Sequence, residues 1–246
     1  MSTTLTIAKR EFRSSFDSPV AYVVICLGLI MLGFLFFSSN GGFWQADRAT
    51  LQPLFFWAPR GLSLLIIPVV TMRLLAEEKR SGTLEMLITL PVKDHEVILG
   101  KFLGAWGLVL VLIASTLLYP IMMFWLGPWH LGAIDRGPIW SGYLGLVCYS
   151  AAATAIGLLV SALTESQMIA LIVTVVSLLI LHLIGGLGDS SGTAWWKDVI
   201  AFISFDTRLA PFSRGQIITR DIVYFLSIAV GCLMAAFRAL ERRKWA

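Results

Sequence analysis

Residues 71–91 read TMRLLAEEKRSGTLEMLITLP. Glu77, Glu78 and Glu85 stand there against Arg73, Lys79 and Arg80, between two stretches apolar enough to live in a bilayer. A helix cannot carry that much charge through hydrocarbon, so the chain leaves the membrane near residue 75. It re-enters only near residue 102, and the piece between is too short and too polar to cross.

The composition agrees with this reading. The chain has 246 residues, 57% of them hydrophobic and 14% charged, with a mean hydropathy of +0.82. Ordinary soluble domains carry roughly a quarter charged residues. A net charge of +4 would suggest a nucleic-acid partner only in a soluble protein, and no such partner is expected here. A span needs about 20 apolar residues, because in lipid every backbone polar group must be satisfied within its own segment. Six segments qualify, at about 20–37, 57–75, 102–126, 143–163, 168–187 and 222–240. The expected fold is therefore all-α, a single polytopic membrane domain over residues 1–246. Pro68 and Pro120 are expected to kink the second and third spans.

Lys and Arg accumulate in the short cytoplasmic segments of membrane proteins. With the N-terminus inside, the inner segments hold Lys9, Arg10, Arg13, Arg73, Lys79, Arg80, Lys93, Lys101, Arg238, Arg242, Arg243 and Lys244. The outer ones hold Arg48, Arg60, Arg136, Lys197, Arg208, Arg214 and Arg220. The majority places both termini in the cytoplasm. Ahead of the first span, Leu5, Ala8, Phe12 and Phe16 recur at helical spacing among Lys9, Arg10 and Arg13. That pattern predicts an amphipathic helix at about 4–17, lying in the interface with its apolar side in membrane lipid, and Pro19 then turns the chain upright. Cys26, Cys148 and Cys232 sit in apolar runs without metal-ligand spacing and are read as small packing residues.

The charged stretch has its own grammar. Ser81-Gly82 ends one helix, Thr83 can cap the next, and Glu85 falls in its first turn, where the helix dipole favours an acid. Leu84, Leu87 and Ile88 form an apolar stripe, and Pro91 closes the segment. A short helix of this kind suits docking into a groove on a cytoplasmic partner. A helix resting on lipid headgroups fits the periodicity equally well.

The stretch AEEKRSGTLEMLITLPVKDHEVILGKFLGA, residues 76–105, resembles the coupling-helix signature of ABC-2 type transporter permeases. The matching positions are Glu78, Gly82, Thr83, Glu85, Leu87 and Pro91. Residues 16–37 and 211–245 resemble the gliding-motility-associated branch of that family, with Gln216 where branch members usually carry Val. The resemblance implies that residues 83–91 seat in a cleft of a separate ABC ATPase, with Glu78 and Glu85 as polar contacts and Leu84 and Leu87 as apolar anchors. Glu165, in the short turn TESQ, either touches the ATPase too or is a solvated turn residue. The resemblance also implies two ATPase copies, which bind the ATP and Mg, and a second permease, either identical or related. The gliding branch adds an auxiliary subunit with a periplasmic domain, and the expected location is a bacterial inner membrane. Short re-entrant helices are implied for 188–221, where Trp195, Trp196, Phe202 and Phe205 suit an outer interfacial helix, and the same loop suits a seat for a periplasmic partner equally well.

The chain has no phosphate-binding loop of its own: Phe102 follows Gly100-Lys101, and residue 95 is His. It carries no H-E-x-x-H, no paired Cys motif and no G-x-S-x-G, and no cofactor or metal is expected in it. A membrane-embedded enzyme is therefore disfavoured, while a cargo-free mechanical or scaffolding subunit uses the same coupling helix as a transporter. The central portions of the predicted spans hold almost no ionisable residue; His182, near the outer end of the fifth, is the exception. It either lines a substrate path or bonds a neighbouring helix. Gly100-x-x-x-Gly104 and Ala153-x-x-x-Gly157 would let helices approach closely.

Overall fold

The computed structural model describes residues 3–38, 50–82, 94–130, 137–190 and 194–242; the expected short helix at 83–91 lies outside them. Among the described residues the secondary structure is helical, without strands. Helix α1 (Thr3–Asp17) is followed by α2 (Pro19–Ser38), the two meeting at 75°. Next come α3 (Gln52–Gly61), α4 (Ile67–Thr71) and α5 (Ala76–Arg80), which together form one broken span. A second broken span is made of α6 (Asp94–Ser115) and α7 (Leu118–His130). Helices α8 (Gly137–Leu163), α9 (Gln167–Ser190) and α12 (Thr219–Arg242) complete the membrane part, with α10 (Ala194–Ile203) and α11 (Phe205–Ser213) between the last two.

Five stretches are long and apolar enough to cross a membrane: Gln52–Arg80, Asp94–Trp125, Gly137–Leu163, Gln167–Gly186 and Thr219–Glu241. The bent pair α1–α2 makes a sixth. Several run beyond the expected bounds because hydropathy marks only the apolar middle of a helix. The third, expected from 102, begins at Asp94 and so takes Lys101 two turns inside. Both interior prolines act through a local break. Pro68 cannot donate to the carbonyl one turn back, and a π-helical turn, Leu62–Ile66, sits just before it. Ahead of Pro120, the Tyr119 amide takes the Thr116 carbonyl at 3.0 Å, which tightens the turn.

Helix α8 is the pillar of the bundle: 78% of its apolar window is buried, against 22% for α9 and 17% for α12. Its small residues make this possible. At Gly157 a Cβ would stand 2.3 Å from Thr71 Oγ1, and at Gly145 2.8 Å from the Phe212 ring. Tyr149, fully buried, anchors an aromatic cluster with Phe205 and Phe225.

One expectation is refined and two are corrected. Helix α1 lays its Ile7 and Glu11 side on α6, where a Cβ on Gly100 or Gly104 would lie 2.7 Å from Ile7 Cβ or Glu11 Cβ. Leu5, in the stripe expected to face lipid, is exposed on another side of the helix, so the packing adds a second contact face to the expected one. The glycines of the first predicted small-residue motif, Gly100 and Gly104, thus serve this helix. Phe205, expected at an outer interface, is fully buried beside Tyr149, while Trp195 and Phe202 stay exposed. Cys26 faces out from α2 instead of packing inside, and Cys148 and Cys232 are half-buried.

Candidate functional site

The chain reaches the charged loop through a break at residues 72–75, between α4 and α5. Breaking a helix inside a bundle orphans backbone amides, and a buried amide left unpaired costs about 1–3 kcal/mol. Ser161 of α8 supplies the missing partner. Its Oγ accepts from the amides of Leu75 and Ala76, each at 3.1 Å, and donates to the Met72 carbonyl at 3.3 Å. One fully buried hydroxyl thereby spends its donor and both acceptor sites on a single turn. One turn on, Lys79 Nζ donates to the Ala162 carbonyl at the end of α8.

The opposite side of α5 is held by charge. Lys101 Nζ lies 2.6 Å from Glu78 Oε1 and 3.0 Å from Glu11 Oε1. Lys101 is only 2% exposed, a burial that an ammonium tolerates only when paired. The triad joins α5, α6 and α1 at one point. Gly82, at φ +70°, then turns the chain out of α5 in a left-handed conformation that favours glycine.

Glu78 and Gly82 thus sit at the root of the loop, one in the ion cluster and one at the exit. Thr83, Leu84, Glu85, Leu87 and Pro91 lie outside the described residues. Glu165 is exposed in the turn between α8 and α9, close in sequence to Ser161 and Ala162. The same end of the bundle carries the close of α12, where Phe237 meets His95 at 6.4 Å between ring centres.

His182 lies at the other end, only 2% exposed. Its Nδ1 is 2.6 Å from Asp206 Oδ1, and its Nε2 is 3.0 Å from Ser63 Oγ and 3.1 Å from Tyr149 Oη. With Nδ1–H donated to Asp206, Nε2 accepts from one hydroxyl, and the other hydroxyl donates to the Pro59 carbonyl. Asp206 also pairs with Arg60, whose guanidinium stacks 3.7 Å from the Phe56 ring centre. A hydroxyl, an imidazole and a carboxylate in a row resemble a hydrolytic relay, but Ser63 is fully buried, with its Oγ held by Pro59. The arrangement ties the π-helical turn, α8, α9 and α11 together. A cavity of about 350 Å³ nearby is lined by Arg60, Gly185, Asp206 and Thr207, and His182 is not in its lining.

Sequence reading missed Ser161, Lys101 and Asp206 as joint makers. Lys101 carried a weak signal, a lysine at the margin of an apolar run. Its partners stand 90 and 23 residues away, which no local pattern shows. Arg208 and Asp221, both buried and 2.9 Å apart, form a further pair that ties α11 to the start of α12.

A family model described as ABC-2 family transporter protein matches residues 60–193, more than half of the chain. No curated protein matches it.

Proposed function

The chain belongs to the ABC-2 transporter family and is thus a multi-pass membrane permease subunit of an ABC transporter, and from that premise we propose that residues 83–91 are its lever. In this reading a separate ABC ATPase holds the segment by Glu85, Leu84 and Leu87. Closure of the ATPases on ATP and Mg displaces it, and the displacement tilts the spans to export a substrate. Two ATPases serve a pair of permeases in a bacterial inner membrane, with both termini cytoplasmic. The resemblance of residues 16–37 and 211–245 supports the gliding-type branch and an auxiliary periplasmic subunit.

One observation carries the proposal: the chain entering the segment is clamped on two sides. Ser161 and the Lys79–Ala162 contact fix α5 to α8, and the Glu78–Lys101–Glu11 cluster fixes it to α6 and α1. A push on the loop cannot be absorbed by a slack connection. It reaches the central pillar, the third span and the N-terminal helix together.

The test is co-purification of the detergent-solubilised complex, scored for ATPase bound and for its turnover. Glu85→Arg and Leu87→Asp should lower ATPase recovery by about tenfold, as expected for loss of central contacts. Ser161→Ala should keep the ATPase bound while lowering turnover in the complex, because the lever is then loose at its root. Recovery of no ATPase with the unmodified chain would sink the proposal.

A further inference from the structure

Where α1 bends into α2, a cavity of about 510 Å³ opens between α1, the second span and α6. Its lining changes character along the helix axes. On the second span Val69, Arg73 and Glu77 follow in chain order, apolar first and charged toward the loop. On α6 the same change runs from Leu108 to Lys101, two turns apart or about 10 Å. The cavity is therefore oily at its span-facing floor and charged at its loop-facing rim. That gradient matches one class of ligand, an amphiphile with its polar end at the membrane surface.

The charges name the polar end. Lys101 is committed to Glu11 and Glu78. Arg10 has only a 3.6 Å approach to Glu11, whose oxygen Lys101 already holds at 3.0 Å. Arg73 and Glu77, both exposed, have no ion-pair partner among the described residues and do not pair with each other, although they stand four residues apart. The rim thus offers two guanidiniums from two elements beside the Glu77 carboxylate, with Glu11 and Glu78 held on Lys101. Guanidinium is the group best shaped for phosphate oxygens. A carboxylate within the same rim repels an anion that lacks a positive group of its own.

We propose that this cavity is the headgroup site of a zwitterionic phospholipid, its phosphodiester held by Arg10 and Arg73 and its ammonium by Glu77. The glycerol and upper acyl segments rest on Ala21, Val69 and Leu108. The site is separate from the segment read as the ATPase lever, so it stands whether or not an ATPase binds there.

Native mass spectrometry of the full chain in detergent tests it. The probes are phosphatidylethanolamine, phosphatidylglycerol with the same acyl chains, and inorganic phosphate. The ethanolamine lipid should be retained about fivefold over the glycerol lipid, the worth of roughly one headgroup charge contact. Arg73→Gln should lower its retention by a similar factor, Glu77→Gln should erase the preference between the two lipids, and Arg80→Gln, outside the lining, should change neither. Equal retention of both lipids by the unmodified chain would overturn the proposal, as would a preference unmoved by Glu77→Gln. Displacement of the lipid by millimolar phosphate would assign the rim to a free anion instead. All three side chains changed are exposed, so an unaltered melting temperature is expected and separates loss of binding from loss of fold.

Discussion

At Lys101, one ammonium holds two carboxylates that would otherwise face each other. Glu11 and Glu78 are about one-fifth exposed, so water softens their repulsion without abolishing it. Lys101→Met should therefore destabilise the chain by about 1–3 kcal/mol, less than a fully buried pair would lose. Thermal unfolding in detergent measures the loss. Adding Glu11→Gln to Lys101→Met should restore part of it, since one of the two stranded charges is then gone, and a double-mutant cycle reads that coupling. If the second change deepens the loss, the triad is not the unit described. His182 poses the same question without a net buried cation. His182→Phe removes the partner of Asp206 and of both hydroxyls at once, and should cost about 2–4 kcal/mol in the same assay. Asp206 keeps Arg60, so the change should not abolish folding.

Among elements, α1 shows how far sequence patterns reach. Its existence and its helical period were legible, and so were the two prolines that break the second and third spans. The second face, by which Ile7 and Glu11 pack on α6, was not, because nothing in the local period of α1 points to it. The deciding residues, Gly100 and Gly104, sit on another helix about 90 positions on. Gly104→Leu should wedge α1 off α6, since even a Cβ meets Glu11 Cβ at 2.7 Å. A loss of about 1–3 kcal/mol is expected from overpacking, with faster proteolysis of the N-terminal segment. Gly231→Leu on α12, where no atom stands within 4 Å of the added Cβ, should be nearly neutral. The clamp on α5 was only half legible for a related reason. Glu78 stood out within a motif, whereas Ser161 is one hydroxyl among many in an apolar helix. Its importance arises only where the chain breaks opposite it.

For the whole molecule the open physical question is which end faces the cytoplasm. On the expected topology the loop side holds most of the lysines and arginines. Four of the seven bases expected on the other side, Lys197, Arg208, Arg214 and Arg220, belong to the long stretch 188–221, which holds α10 and α11. Arg208 is buried there against Asp221, and Arg60 is paired with Asp206, so both are fixed parts of the folded end. Long segments of this kind constrain insertion less than short basic loops do. The expected orientation therefore follows from α1, the 76–82 root and the close of α12. Cysteine labelling checks it in a chain whose Cys26, Cys148 and Cys232 are replaced by Ala. Ser81→Cys and Glu165→Cys, both exposed at the loop end, should react with a membrane-impermeant maleimide only after spheroplasts are opened. Gln216→Cys, exposed between α11 and α12, should react in intact spheroplasts. The reverse pattern would place the charged loop outside the cell, where no ATP is held for an ATPase to use, and the lever reading would fall with it.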